Sequence, residues 1–261
     1  MNWILQNLGM ILELALVHLR QSAVALVIGF AVALPLGRIA WRYRLVRGPI
    51  VLLTGLLYTI PSLALLMLLP ALLGYSAISE TNLVVALVIY AVAILVRAVA
   101  DGLDSVEADV LRSATATGYG AARRFWSVEL PLAGPVILAG VRVASVSTIA
   151  LATVGTLIGV GNLGYLFTNG LDRRLIEEVF AGVVATVVLA LLVDLALVVL
   201  GRLLMPWLRA TQASRGSLAR SRGAVEPGRS PSLCGTRSGS SSSGSGSPWQ
   251  GSGPRSEAEP A

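Results

Sequence analysis

Long apolar runs alternate with short polar, arginine-containing stretches over most of the chain. A membrane-spanning helix needs about 20 mostly apolar residues, and five runs come close to that length or exceed it. Their approximate bounds are 22–40, 49–73, 83–100, 135–158 and 179–200. The pattern therefore predicts an all-α integral membrane protein with about five transmembrane helices, and leaves a sixth helix open.

The apolar stretch before the first run is short and interrupted. Residues 3–17 include the polar residues Gln6, Asn7 and Glu13. A short amphipathic helix of this kind lies along the membrane surface. Residues 1–18 are therefore predicted to form an N-terminal interfacial helix, with an additional spanning helix as the alternative, and residues 19–208 to form the transmembrane domain.

The composition changes after about residue 208. Residues 209–261 are rich in Ser, Gly, Pro and Arg and include the run SGSSSSGSGS at 238–247. Such a segment cannot bury enough apolar surface to fold, which predicts a disordered tail. The only cysteine, Cys234, lies in this tail and cannot form an internal disulfide.

Overall composition separates a membrane protein from a soluble one. The chain is 55% hydrophobic and 13% charged, whereas soluble domains average about 25% charged residues. Every basic residue is Arg, and the Arg residues flank the apolar runs. That placement indicates topology signals rather than a nucleic-acid surface, so no nucleic-acid partner is expected.

The distribution of Arg predicts the orientation. Residues 41–48, the central loop 112–131 and the tail are rich in Arg, whereas the loop 74–82 has none and the charges of 165–178 nearly cancel. By the positive-inside rule the Arg-rich segments lie in the cytoplasm. The prediction is a multi-pass protein of the plasma or inner membrane with a cytoplasmic C-terminal tail, and a six-helix topology would leave the central loop on the same face.

A candidate solute pathway lies in the second run. Pro61 removes a helical hydrogen bond, and irregular backbone at membrane depth persists where it is buried or faces water. The break at Thr59, Pro61 and Ser62 is therefore a candidate pathway lining, with a packing kink as the alternative. Tyr58 and Tyr90 offer aromatic faces to a quaternary ammonium, although aromatic side chains in spans mostly pack.

Two further features of the apolar runs bear on function. Arg142 and Asp194 are intramembrane charges of opposite sign, which usually face the bundle or a cavity; they are a candidate charge pair, with a structural role favoured over ion coupling. The segment Gly159–Gly164 matches G-x-G-x-x-G, but it ends a membrane helix instead of joining a strand to a helix. It therefore predicts a flexible outer loop and no nucleotide site.

The central loop resembles the cytoplasmic loop of permease subunits of ABC importers. That family shares the pattern E-A-A-x3-G-x9-I-x-L-P. The positions of this chain that fall on the pattern are Arg112, Ser113, Ala114, Gly118, Val128, Leu130 and Pro131. Three of them depart from it, because Arg112 replaces Glu, Ser113 replaces the first Ala and Val128 replaces Ile.

The chain is most similar in its motifs to the glycine betaine/carnitine/choline/proline branch of these permeases. The similar stretches are TIPSLALL at 59–66, FWSVELPLAGPVILAGVRVA at 125–144 and GVGNLGYLF at 159–167. The resemblance implies a pathway for an osmoprotectant such as glycine betaine, choline, carnitine or proline. It also implies a cytoplasmic coupling helix between spans three and four. The residues of this chain fit a short helix at about 106–117, with Asp104 and Glu107 as a capping pair and Gly118 at its end.

The resemblance further implies a multi-subunit transporter embedded in membrane lipid. The expected partners are cytoplasmic ATPase subunits that dock on the loop 106–131, a second permease (identical or different) and an extracytoplasmic solute-binding protein. The chain has no P-loop G-x-x-x-x-G-K-[ST] and no Lys, so it is expected not to be an enzyme and ATP is expected on the partner. No cofactor or metal is expected on this chain, since His18 is its only histidine.

The sequence is also compatible with two other classes of function. One is an ABC permease for a different solute, such as an amino acid or an oxyanion. The other is a channel or secondary carrier that works without partners.

Overall fold

Helices make up the structure, a computed structural model that describes residues 3, 6–74 and 76–206. The α-helices in this part are α1 (Leu8–Arg42), α2 (Arg44–Thr59), α3 (Ser62–Leu73), α4 (Glu80–Asp104), α5 (Ala108–Ala116), α6 (Ala121–Arg124), α7 (Leu130–Ala152), α8 (Tyr165–Asp172) and α9 (Ile176–Leu204). A π-helical turn, Phe125–Glu129, joins α6 to α7, and a 3₁₀ segment, Thr153–Ile158, follows α7.

Four helical segments are individually long and apolar enough to cross a membrane. They are α1, α4, the continuous segment Ala121–Ile158 and α9. Helices α2 and α3 are bent by 106° relative to each other and form a fifth crossing if they make up one span. The prediction of an all-α membrane protein with about five transmembrane helices is confirmed.

Helix α1 is continuous over 35 residues, so the chain does not break near residue 18 as the sequence suggested. Two polar residues in its middle are buried: the ring Nε2 of His18 lies 2.9 Å from the carbonyl oxygen of Ile149, and the Gln21 amide lies 3.4 Å from the carbonyl of Gly161. Of the polar residues that interrupted the apolar stretch in the sequence, Glu13 is exposed on the helix surface and does not break the helix, and Gln6 is exposed just before its start. The placement of residues 1–18 along the membrane surface stays a prediction, and the tail 209–261 lies outside the described residues.

Helix α4 occupies the centre of the bundle, between α1 and α7. A Cβ atom added at Gly29 of α1 would lie 2.7 Å from the Cβ of Ala91, and one added at Gly140 of α7 would lie 2.1 Å from the Cβ of Ala98. Small residues at such contacts allow helix backbones to approach closely. As a result α1, α4 and α7 form the packed core on which the remaining helices are arranged.

The fourth span begins earlier than the sequence predicted. The helix starts at Ala121 rather than near residue 135, and it passes through the π-helical turn in which the Leu130 N–H donates to the carbonyl of Phe125. Pro131, which has no N–H to donate, lies in the first turn of α7. The second half of the predicted loop therefore belongs to the helix, and only about residues 105–120 form the exposed connection.

Candidate functional site

The connection between the third and fourth spans carries an exposed short helix, α5. None of its nine residues is buried. Gly118 follows it with φ +85°, and the Tyr119 N–H donates to the carbonyl of Ala114 at 3.1 Å. This is the usual left-handed ending of a helix, which favours glycine. The structure thus has a helix at Ala108–Ala116 where the sequence predicted one at about 106–117.

The residues at the start of the motif lie on the outer surface of α5. Arg112 is 79% exposed, with its guanidinium 3.5 Å from the carboxylate of Asp109, and the Ser113 hydroxyl donates to the Asp109 carbonyl at 2.8 Å. The predicted capping by Asp104 and Glu107 is wrong. Asp104 lies within α4, where its carboxylate pairs with a neighbouring arginine, and the Glu107 side chain makes no capping hydrogen bond.

The later motif residues lie at the base of the fourth span. Val128 is in the π-helical turn, and Leu130 and Pro131 open α7; all three are partly buried. The structure therefore places the seven motif residues on two neighbouring elements, an exposed helix and the beginning of a span. The exposed helix α5 is therefore only a short stretch of chain away from the beginning of the fourth span.

Arg124 connects these two elements, a feature that sequence reasoning missed. Its Nε donates to Glu129 at 2.7 Å and its Nη1 donates to the Thr115 hydroxyl of α5 at 2.8 Å. Glu129 is 1% exposed. Residues five apart do not face each other on an α-helix, so only the π-helical turn brings Arg124 and Glu129 together. The one signal in the sequence was Glu129 itself, a carboxylate immediately before Leu130–Pro131, where a buried apolar residue would be expected.

The break in the second span lies where the sequence predicted it. Helix α2 ends at Thr59 and α3 begins at Ser62, and Thr59 and Pro61 are exposed on the surface of the chain. The Ile60 carbonyl, which the break leaves outside helical hydrogen bonding, accepts from the Tyr90 hydroxyl at 2.6 Å. A side chain of α4 therefore fixes the irregular backbone.

The two candidate pathway tyrosines differ in their surroundings. Their rings are edge to face with centroids 5.8 Å apart, but Tyr90 is 3% exposed whereas Tyr58 is 46% exposed. The Tyr90 side chain is packed inside the bundle, and its hydroxyl makes the hydrogen bond at the break. Of the pair, only Tyr58 presents an aromatic surface outward.

Arg142 of α7 and Asp194 of α9 form a two-pronged ion pair. The Arg142 Nε and Nη2 donate to the two carboxylate oxygens at 2.6 and 2.7 Å. The side chains remain 42% and 27% exposed, and they border a recess of about 710 Å³ together with Ser147. The structure thus brings together the two intramembrane charges that the sequence placed 52 residues apart.

Neutralising one member of this ion pair should impair insertion. Asp194→Asn or Arg142→Gln leaves a single charge among membrane helices, where unpaired charges are costly. We expect less protein in the membrane fraction for each single variant and recovery in the exchanged variant, Arg142→Asp with Asp194→Arg. Quantitative immunoblotting of membranes, with Glu80→Gln at the exposed outer pair Arg20–Glu80 as control, measures this. Normal levels of both single variants would contradict a structural role for the pair.

The glycine-rich segment after α7 forms a packed turn and not the flexible loop that was expected. Asn162 is fully buried; its amide donates to the Ala152 carbonyl at 2.8 Å and its oxygen accepts from the Gly164 N–H at 2.8 Å. A Cβ on Gly164 would lie 2.1 Å from the carbonyl oxygen of Thr153. The glycines therefore permit close backbone packing, and the segment lies between two helices rather than after a strand.

Metal-binding residues do not cluster in the described part of the chain. No group of three or more His, Cys, Asp or Glu is placed there to hold a metal ion. His18 is buried against Ile149 in the helix core, and Cys234 lies outside the described residues. Several helices long and apolar enough to cross a membrane, a bent helix pair and an exposed helix on one connecting loop together define a multi-pass membrane protein.

Comparison with models of protein families assigns this membrane protein to a family. Residues 10–210 match the family model of the binding-protein-dependent transport system inner membrane component. The match covers most of the chain, so the chain belongs to this family, and it is a permease of the ATP-binding-cassette importers. The predicted resemblance is confirmed.

Relatives with curated descriptions come from several bacteria. The choline transport system permease protein OpuBB of Bacillus subtilis is 34% identical over 200 residues, covering 77% of this chain and 91% of OpuBB. The glycine betaine/carnitine/choline transport system permease protein OpuCB of the same organism is 33% identical, covering 72% and 86%. The osmoprotectant import permease protein OsmW of Salmonella typhimurium is 33% identical, covering 74% and 91%.

Solved structures share the fold. A chain of the MetNI methionine ABC transporter in an inward-facing conformation superposes with a TM-score of 0.69 at 18% identity, covering 76% of this chain and 98% of that chain. A chain of an amino acid ABC transporter gives a TM-score of 0.60 at 16% identity. At these identities the likeness concerns the fold alone.

Proposed function

We propose that this permease forms the membrane pathway for a quaternary ammonium osmoprotectant, such as glycine betaine, choline or carnitine, with proline as a further solute of the same group. The observation that carries the proposal is the agreement among relatives that are 33–34% identical over most of the chain and whose names specify these solutes. The stretches 59–66 and 125–144, which prompted the resemblance, include the broken span and the base of the fourth span.

The energy for transport comes, in this proposal, from ATP bound to separate cytoplasmic subunits. Helix α5 supports this assignment because it is short, entirely unburied and built from small residues around Ser113 and Ala114, which suits insertion into a groove of another protein. The chain supplies no P-loop lysine, so ATP hydrolysis belongs to the partner. A solute-binding protein outside and a second permease complete the assembly, and the tail after residue 208 lies in the cytoplasm.

The link through Arg124 explains how force on α5 can reach the membrane. A push on α5 at Thr115 is transmitted through the Arg124 guanidinium to Glu129, which is buried at the start of the fourth span. Charge-assisted hydrogen bonds of this kind are strong and directional. We infer that ATP-driven motion of the partner tilts the Ala121–Ile158 segment by this route.

The broken second span is the proposed position of the pathway. The exposed residues Thr59 and Pro61 and the outward face of Tyr58 lie together at the break. An aromatic face attracts a quaternary ammonium through its negative quadrupole. The buried Tyr90 supports the break, because its hydroxyl donates a hydrogen bond to the carbonyl of Ile60.

Other solutes and partner-free transport are less well supported. The similarity to the methionine and amino acid transporters lies at 16–18% identity, which concerns the fold alone. A channel or secondary carrier would have no use for an exposed docking helix at the family's motif.

Uptake by the reconstituted complex tests the proposal. Proteoliposomes containing the permease, its ATPase and its binding protein should accumulate labelled glycine betaine, choline or carnitine. Accumulation should occur only when ATP and the ATPase are both on the inner side of the vesicles. The permease alone should give background uptake. Robust ATP-independent uptake by the purified chain, or uptake restricted to unrelated amino acids or oxyanions, would contradict the proposal.

A further inference from the structure

A groove runs between the C-terminal half of α1 and the start of the fourth span. Its volume is about 580 Å³, and its nine lining residues come from α1, the α1–α2 junction and the π-helical turn. It does not include the second-span break or the exposed helix α5. None of the functions assigned so far uses this groove.

The groove is apolar at one end and positively charged at the other. Ala31, Leu34 and Pro35 line the end toward the membrane interior, and Arg38 and Arg42 line the end toward the Arg-rich connection. Ala31 and Arg42 are eleven positions apart, which is about 16 Å along a helix at about 1.5 Å per residue. This gradient matches a lipid molecule, with an acyl chain beside the apolar end and a head group beside the arginines.

Aromatic side chains fix the charged end. The guanidinium of Arg38 lies 3.9 Å from the ring centroid of Phe125, which is 2% exposed and stands edge to face with Trp126. Stacking on a ring leaves the edge N–H groups of a guanidinium free to donate. Trp126 and Tyr43 are each 60% exposed at the rim, as is common for aromatic residues at the level of lipid head groups.

Among the residues that the structure describes, no acidic side chain lines the groove to balance its positive charge, since none of the nine lining residues is acidic. In the neighbouring recess between α2 and α4, Arg47 pairs with Asp101 at 3.6 Å and with Asp104, while Arg44 and Arg97 also line that recess. The groove therefore has two guanidinium groups available for a negatively charged ligand.

We propose that this groove binds an anionic phospholipid of the cytoplasmic leaflet. The phosphate lies between Arg38 and Arg42, and one acyl chain follows Ala31 and Leu34 along α1. The apolar end selects a lipid over a free phosphate, because a soluble anion gains nothing from it. A phosphatidylcholine has a compensating positive charge and is bound less well.

Native mass spectrometry of the full-length chain tests the site. The chain is purified in detergent and incubated with equal amounts of phosphatidylglycerol and phosphatidylcholine carrying the same acyl chains. At about 1 kcal/mol of attraction per Arg near a membrane surface, two arginines correspond to roughly thirtyfold preference. We therefore expect one phosphatidylglycerol to be retained at least about tenfold more often than phosphatidylcholine.

The variants separate the charge effect from an effect on folding. Arg42→Gln changes an exposed side chain and should lower retention of phosphatidylglycerol about fivefold, and Arg38→Gln with Arg42→Gln should remove the preference. Arg44→Gln, at the same end of the bundle but outside the groove, should retain the wild-type preference. Size-exclusion elution checks folding, and Arg42→Gln alone decides the outcome if the double variant aggregates.

Three results would overturn the proposal. Equal retention of the two lipids means that the groove does not select a negative head group. Wild-type preference in Arg42→Gln means that the selection occurs elsewhere. Displacement of phosphatidylglycerol by an equal concentration of the water-soluble head group, glycerophosphoglycerol, means that the site takes a phosphate and makes no use of the acyl chain.

Discussion

Gly118→Val should reduce uptake to background while the protein still inserts normally. Gly118 has φ +85°, a conformation that costs other residues roughly 1–2 kcal/mol and that β-branched residues rarely adopt. A Cβ atom there meets nothing within 4 Å, so the added Cβ has space and the strain lies in the backbone. We therefore expect the effect to come from a changed end of α5 or from contact with the ATPase that we propose docks there.

Gly120 provides a matched control two residues away. A Cβ there also meets nothing within 4 Å, but Gly120 has φ −64° and ψ 158°, which valine adopts readily. Gly120→Val should therefore transport nearly normally. Gly118→Asn, which tolerates a positive φ, should fall between the two. ATP-driven uptake of labelled glycine betaine, normalised to permease in the liposomes, measures all three. Normal uptake by Gly118→Val would show that the end of α5 does not matter for coupling.

Glu129→Gln should separate ATP hydrolysis from transport. The substitution keeps the size of the side chain but removes the charge that holds Arg124, and Arg124 also binds Thr115 of α5. Coupling free energies between distant sites are typically about 1–3 kcal/mol, so we expect about tenfold less solute transported per ATP hydrolysed. The measurement is the ratio of uptake to phosphate release in the same proteoliposomes.

Two comparisons keep this result separate from general damage. Glu80→Gln removes an ion pair of similar length between Arg20 of α1 and the first residue of α4, whose side chains are 62% and 44% exposed; exposed pairs contribute about 0–1 kcal/mol, and the ratio should be unchanged. Thr115→Val breaks the same route at its other end and should lower the ratio as Glu129→Gln does. A proportional loss of hydrolysis and uptake in Glu129→Gln would indicate misfolding rather than lost coupling.

The sequence predicted those features that depend on local composition. The spans followed from apolar run length, and the break between Thr59 and Ser62 followed from Pro61, because a proline has the same effect on a helix wherever it lies. The exposed helix before Gly118 was also expected, since glycine commonly ends helices. These features need no knowledge of distant parts of the chain.

Features that depend on distant partners were missed or misread. The sequence suggested a separate element before residue 19, yet α1 runs unbroken from Leu8 to Arg42, with His18 and Gln21 buried against the chain around Ile149 and Gly161. Likewise Arg123, Arg124 and Glu129 gave the start of the fourth span the polarity of a loop. The π-helical turn and an ion pair accommodate Arg124 and Glu129 within the helix, and the Arg123 guanidinium lies over the ring of Tyr119. None of these contacts has a signal in hydropathy.

The unbroken α1 has a consequence for the bilayer around it. At about 1.5 Å per residue, its 35 residues extend for about 52 Å, well beyond the hydrocarbon thickness of about 30 Å. The surplus length is polar, with Glu13 and Arg20 before the apolar run and Arg38 and Arg42 at its other end, so only the middle of α1 matches the hydrocarbon. Its glycines hold α1 against α4, and α4 carries Tyr90, which fixes the break in the second span. Any tilt that a change in bilayer thickness imposes on α1 would therefore be shared by the helix that supports the proposed pathway.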